Sequence, residues 1–478
     1  MRIYVLYVLC AFLSLYAFRD WFKSLCGLIL LMAVLEHPDM PKSISGIQGL
    51  NPWNVLMAHI LMAWVLARRR EGLVWDLPRH VNVMLALYLL VVIVGFIRMV
   101  ADRAHLHEYT VFYLVSDSLI DTIKWVVPGL LVFDGCRDRR RLVMALASCL
   151  GVYLLLAVQV IRWMPANAML NGASLNRTAL KLILNEVGYH PVNMSMMLAG
   201  TSWAILAARP LVASRGARLL IVAAALVVAY GQALTGGRMG YVTWGTVGVV
   251  LCLLKWRKLL LLIPLVVAGI GVTVPGAVER MLQGFNTPDV AGSTYVDDTQ
   301  VTSGRTLIWP LVIEKIQQAP LIGYGRMAMR RTGLHQRLLT MGLSFPHPHN
   351  AYLECLLDNG VVGLGMVMPF YVMIVLYSTR MFLDRGHPEF AAVGGACLAL
   401  VLALLIASMG SQTFYPREGA VGLWVAIGLL LRLAVVRAGA LQPATAARPM
   451  PAYAFGRCNG SDRPAGPLPP LVVASQRR

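Results

Sequence analysis

Charge is scarce in this chain. Only 14% of its 478 residues are Asp, Glu, Lys or Arg, where a soluble domain carries about a quarter. Regular alternation of polar and apolar residues is also missing, which argues against a membrane β-barrel. None of the eight cysteines belongs to a C-x-x-C pair, and most lie inside apolar runs. They read as small packing residues, with no disulfide framework or zinc site. No D-x-D motif occurs, so that common carboxylate pair for holding a divalent ion is absent. The adjacent Asp297-Asp298 pair sits in a Gly/Ser/Thr-rich stretch and reads as loop surface. The first apolar run has no small-residue cleavage site, so it reads as a retained span. There is no soluble domain and no internal repeat.

What the chain has in abundance is apolar sequence, 58% of its residues. Runs of about 20 such residues mark membrane-spanning helices, and in lipid the backbone polar groups must pair within the segment. The expected fold is therefore an all-α polytopic membrane protein of about 12–13 spans. Two short ones open it, Ile3 to Phe18 and Ser24 to Leu35. Trp53 to Ala67, Val81 to Val100, Phe112 to Phe133 and Leu142 to Ile161 follow. Then come Pro191 to Ala207, Leu219 to Leu234, Met239 to Leu254 and Leu259 to Val278. Tyr352 to Tyr377, Phe390 to Met409 and Gly419 to Val436 close the set. The chain thus divides into ten spans over 1–278, an outer loop over 279–349, three spans over 350–437, and a Pro/Ala/Arg-rich tail over 438–478 expected to be disordered.

The net charge of +19 does not call for nucleic acid, because Lys and Arg collect in cytoplasmic loops. One alternating set of six short loops holds 18 basic residues, among them Arg68–Arg70, Arg137–Arg141 and Lys255–Lys258. The opposite short segments hold nine. The first set is assigned to the cytoplasm, so the long 279–349 loop faces outward. Within that loop a helix is expected after Ser303 as N-cap, with Ile308, Leu311, Val312 and Ile316 at helical spacing and Pro310 confined to its first turns. Gly323, Tyr324 and Gly325 mark a turn.

Where the loop re-enters the membrane it reads His347-Pro348-His349-Asn350-Ala351-Tyr352-Leu353. Asn350 is a natural N-cap. His349 then stands at the helix mouth, where a neutral imidazole can take a proton from a hydroxyl. Taken alone, an H-x-H pair is more often an interfacial loop feature. Inside the fifth span, Asp117, Asp121 and Lys124 fall at i, i+4 and i+7. Ionisable groups there suggest function by default. They fit the face of a lipid-linked sugar flippase or polysaccharide exporter, or an Asp121–Lys124 ion pair beside a water-filled groove. The ion pair is preferred.

Four pieces in order resemble one family. They are Leu234-Thr235-Gly236-Gly237-Arg238-Met239-Gly240, Ser303-Gly304-Arg305-Thr306, Pro320-Leu321-Ile322-Gly323-Tyr324-Gly325 and the His347–Leu353 segment. Together they are similar to the O-antigen ligases and Wzy-type polymerases, with one departure at Gly237, where that family often has serine. The resemblance implies glycosyl transfer from an undecaprenyl-diphosphate-linked glycan at the periplasmic face of a bacterial inner membrane. The acceptor is a lipid A-core sugar, a growing polysaccharide or, in some members, a protein; no cofactor is implied. Under that resemblance His349 is the base, Arg238 and Arg305 hold the diphosphate, and Arg177 is a weaker third contact. Ser303, Gly325, His347, Asn350 and Tyr352 support the site. The plainer alternatives are that Arg238 snorkels to headgroups and that Arg305 is a solvated first-turn residue. Arg326, Arg330, Arg331 and Arg337 crowd the outer loop as well and are expected to attract an anionic lipid headgroup or donor, with no one of them essential.

Overall fold

The computed structural model describes residues 2–440 apart from 45, 286, 289–293 and 296. The tail from 441 onward, expected to be disordered, lies outside the described residues. The fold is all-α. The only strands among the described residues are two pairs of two residues each, Ser43–Ile44 with Ile47–Gln48 and Thr287–Pro288 with Thr294–Tyr295.

Helices begin where the sequence offers a cap. Asn51 accepts from Asn54 N at 2.9 Å ahead of Pro52–Arg70, and Asp138 accepts from Arg141 N at 2.8 Å ahead of Arg139–Trp163. Such caps are worth about 1 kcal/mol each. Among the described residues six helices are long and apolar enough to cross a membrane alone. Arg257–Thr273 and Pro275–Leu282 make a seventh only if the bent pair is counted as one span. The remaining expected spans also fall on helix: Pro52–Arg70 is 19 residues and unbroken but not among the six, and the others lie on shorter or broken pieces. Ile3–Ala17 and Trp21–Leu35 are short apolar helices.

The two breaks have local causes. The 112–133 run divides at a π-helical turn, Ser116–Ile120, and again before Val127–Gly135. The 259–278 run bends by 105°. Pro275 has no N–H and drives the preceding residue out of the α region, and Val274 sits at φ −136°, ψ 68°. Beyond the bend, Pro275–Leu282 turns toward the outer segments, with Gly172 N donating to Glu279 Oε2 at 2.8 Å.

Pro388–Ala407 and the C-terminal helix Val421–Ala440 form the centre. In each, 78% of the apolar window is buried, against 33% for Arg215–Ala233 at the periphery. Small residues let the central helices approach their neighbours, as expected where no solvent drives helices together. A Cβ on Gly200 would sit 2.6 Å from Ala403, and one on Gly428 would sit 2.1 Å from the Gly129 carbonyl oxygen.

Polar segments sort into two sets, each bonded within itself. On one face Arg139 meets Glu389 at 2.8 Å, Arg141 meets Glu71 at 2.7 Å, and fully buried Arg432 meets Asp76 at 2.8 Å. On the other face lie 101–110, 162–190, 235–238, the long loop and 408–418.

Candidate active site

The long loop is threaded into a broken helix. Ala351–Phe382 is interrupted at Gly360, whose φ of 66° and ψ of −170° are open to glycine alone. The carbonyls and N–H groups freed there pair with the Pro320–Gly325 stretch. Val361 N donates to Pro320 O at 2.8 Å, Tyr324 N to Leu357 O at 2.9 Å, and Gly325 N to Asp358 O at 2.6 Å. A Cβ on Gly323 would stand 2.5 Å from Leu357 O, and one on Gly325 2.8 Å from Arg98 Cβ. The glycines of that motif are therefore close-approach residues, and Gly325 helps fix the loop against the broken helix. Arg98 adds donors to the carbonyls of Ile322 and Gly323.

At the front of the same helix Asn350 accepts from Tyr352 N at 3.0 Å and Leu353 N at 3.2 Å. This is the cap the sequence predicts. Tyr352 turns its hydroxyl to Leu405 O at 2.9 Å. His349 lies just before, at φ 52°, a left-handed conformation costly for a non-glycine residue. Its Nδ1 is 3.1 Å from Ser411 Oγ. When Ser411 accepts there, Nε2 carries the lone pair. His347 packs against His349 with ring centroids 4.1 Å apart, and Trp309 Nε1 donates to Pro348 O at 3.0 Å. Burial, then His347, Arg305 and His190, push His349 down to about 3; burial and four cationic or imidazole neighbours push His347 to about 4. Both rings are neutral near pH 7.

Arginines gather beside them. Arg305 donates to Thr302 O at 3.1 Å and Gly410 O at 2.7 Å, while its buried Nε has no partner among the described residues. Arg238 donates to Gln283 O at 3.2 Å, Gln300 O at 2.6 Å and Ser303 Oγ at 2.5 Å. Arg280 donates to Asn176 Oδ1 at 3.0 Å and to Gln283 Oε1. Burial, then Arg280 and Arg305, lower Arg238 to about 10. Among the described residues none of the three arginines pairs with a carboxylate. Arg177 is exposed on Gly172–Leu182 with no bond to this group.

Several expectations change. Ser303 is not the N-cap. Gly304 holds that position at φ 77°, and Ser303, itself at φ 55°, turns its hydroxyl to Arg238. The helix Arg305–Gln318 carries Pro310 past its first turn. Arg326, Arg330 and Arg331 do not decorate the surface. Arg330 and Arg331 pair with Glu108 at 3.1 Å and Asp102 at 2.7 Å. Arg326 donates to Ser118 O and to Thr122 Oγ1, and stacks 4.3 Å from the Tyr415 ring. Of these four Arg337 alone stays exposed and without a side-chain partner among the described residues. In the fifth span Asp121 and Lys124 pair at 2.6 Å.

The sequence reading passed over four groups. Arg280 follows a bend that periodicity does not show. His190 caps Pro191–Ala207 and accepts from Val192 N at 3.3 Å. Ser411 belongs to no motif. Ser195 explains the glycine at 237: a Cβ there would lie 2.5 Å from Ser195 Cβ. The Ser195 hydroxyl donates to Gly237 O at 3.0 Å, so a serine hydroxyl reaches this turn from the neighbouring helix.

The molecule is thus a polytopic helical membrane protein with three carboxylate-free arginines beside a neutral histidine pair. Residues 222–368 match the family model described as O-antigen ligase, Wzy_C, which supports a likeness to the O-antigen ligase/Wzy-type family over that part of the chain and, with it, glycosyl transfer in general. No curated protein matches the chain.

Proposed function

We propose that this protein transfers an undecaprenyl-diphosphate-linked glycan to an acceptor hydroxyl at the periplasmic face of a bacterial inner membrane, as a ligase or polymerase. The observation that carries the reading is a cluster of Arg238, Arg280 and Arg305, without a carboxylate among the described residues, whose member Arg305 adjoins the His349–Ser411 pair. Such a cluster favours a diphosphate, which accepts charge-assisted hydrogen bonds. The arginines are already oriented by backbone carbonyls, so they need not reorganise as negative charge grows on the leaving group.

The acceptor oxygen attacks the anomeric carbon while its proton passes to His349 Nε2. The carbon–oxygen bond to the diphosphate breaks, and its electron pair leaves on the diphosphate oxygen. One displacement inverts the anomeric centre. The leaving group is a weak base, so the reading requires neither an acid nor a metal. The acceptor is a lipid A-core sugar or a growing polysaccharide. Arg177, being exposed and outside the cluster, is at most a peripheral contact.

The test is purified protein with synthetic lipid-diphosphate donor and acceptor glycan, in EDTA. His349→Ala should lose about 10²- to 10⁴-fold in rate with donor binding largely kept, and His347→Ala should lose less. Wild-type transfer by His349→Ala would remove the base assignment. Movement of lipid-linked sugar across vesicles without transfer would make the protein a flippase.

A further inference from the structure

We infer that the outer cavity beside the broken fifth span binds the acceptor's saccharide, an inference that rests on the transfer reading above. The cavity measures about 480 Å³, within the range of ligand pockets, about 300–1,000 Å³. Its wall mixes both signs of charge with amide and indole groups. Asp117, Glu36 and Glu418 offer acceptors, Lys42 and Arg417 offer donors, and Asn51 and Asn54 offer both. An anion site would be cationic throughout, as the arginine cluster is, and a lipid-tail site would be apolar. A mixed wall of this kind matches a polyol, whose hydroxyls both donate and accept.

Two further observations point to a ligand. Trp53 lines the cavity and is only 2% exposed, yet its indole N–H has no partner among the described residues. A buried donor left unpaired is costly and calls for an acceptor. The second is the π-helical turn Ser116–Ile120, a distortion frequent at functional sites. The chain actively holds it: Arg326 from the long loop bonds to Ser118 O and Thr122 Oγ1. The distorted turn leaves Asp117 exposed along the cavity wall.

One segment puts the cavity in line with the chemistry. Gly410 O accepts from Arg305, and Ser411 Oγ meets His349. Tyr415 then stacks under Arg326 and donates to Asp358 Oδ2 at 3.0 Å. Arg417 and Glu418 line the cavity itself. In chain order this strip runs from the arginine contact at Gly410 through the base contact at Ser411 to the cavity wall at Arg417 and Glu418. An inverting displacement needs the acceptor across the reacting carbon from the leaving group, so the cavity is assigned to the acceptor and not to the donor's glycan.

The test is steady-state transfer by the full chain, varying donor and acceptor in turn, with lipid A-core in one arm and lipid-linked repeat unit in the other. Asp117→Asn, at an exposed side chain, should raise the acceptor KM about 10-fold, the cost of weakening a hydrogen bond to a charged group. Trp53→Phe, which keeps the ring and removes the N–H, should raise it about 2- to 5-fold. The donor KM should stay put in both, and retained kcat reports an intact fold. A rise in donor KM alone, or unmoved constants with an active enzyme, overturns the assignment. Absence of transfer by wild-type protein with either acceptor overturns the transfer reading itself, a result distinct from an active enzyme with an unmoved acceptor KM.

Discussion

Two sets of arginines, one on each face, are held in opposite ways, although on the outer face Arg330 and Arg331 also meet carboxylates. On the face assigned to the cytoplasm they meet carboxylates: Arg432 and Arg137 share Asp76 at 2.8 and 3.2 Å, and Arg139 meets Glu389 at 2.8 Å. On the other face Arg238, Arg280 and Arg305 meet only carbonyl and hydroxyl oxygens among the described residues. A neutral oxygen orients a guanidinium but leaves its charge uncompensated. The first set holds helices together. The second set leaves its charge uncompensated among the described residues, which is the feature the proposed function reads as a diphosphate site.

The comparison breaks most visibly at Arg432. Its side chain is fully buried and also donates to Phe133 O at 2.9 Å. Arg432→Met removes one partner of a buried pair, a loss of about 3–5 kcal/mol in general. Arg137 still faces Asp76, so the lower end applies. Detergent-solubilised protein should unfold at a clearly lower temperature while activity per folded molecule stays near wild type. Unchanged thermal stability would show the pair to be ornamental.

Next in size come the outer arginines, with the opposite signature. Lysine keeps the charge but loses the planar fork. Arg305→Lys and Arg238→Lys should each cut transfer by about 10- to 100-fold, with little change in unfolding temperature. Full activity in both variants would return these residues to the role of helix-end decoration.

A smaller effect is expected at the Gly236-Gly237 turn. Gly237→Ser restores the residue the family often carries, but places it 2.5 Å from Ser195 Cβ. Overpacking of this kind costs about 1–3 kcal/mol. Ser195→Gly in the same chain should recover most of the loss in expression and thermal stability. If Gly237→Ser is as stable as wild type, the two helices are not in the contact described.

Much of this was legible in the residues. The apolar runs predict every helix that carries the fold, because burial in lipid writes itself as composition. Asn350 predicts its cap, because capping is local. What was not legible depends on chain segments far apart in sequence. Arg280 enters the site only because Pro275 turns the chain by 105°. Gly360 lies in an apolar run that reads as one span, and its break has meaning only once Pro320–Gly325 docks into it. Ser303 suits an N-cap in sequence, yet Gly304 takes the cap when Arg238 claims the hydroxyl. Ser411 and His190 sit in segments with no periodicity to mark them.

The smallest effect concerns protons, and it follows from the uncompensated charge. In the free protein burial first, and then His347, Arg305 and His190, hold His349 down to about 3 against an ordinary value near 6.5. A depressed imidazole binds fewer protons than it does in the unfolded chain. Its contribution therefore lowers stability progressively as pH falls from about 6.5 toward 3. At neutral pH it is already an unprotonated base, so kcat/KM, which reports the free enzyme, should show no acid limb from His349 between pH 7.5 and 5. A diphosphate on Arg305 compensates the nearest positive charge and raises the imidazole's affinity for a proton. Burial persists, so the rise stops short of 6.5. In the bound complex the acid limb of kcat should then stand at higher pH than that of kcat/KM. A diester diphosphate does not itself titrate in this range. The measurement is a pair of pH–rate profiles, one at saturating and one at limiting donor. Coincident limbs near pH 6.5 in both would mean that His349 is solvated and unburdened by the arginines. That result would dissolve the link between the carboxylate-free cluster and the base.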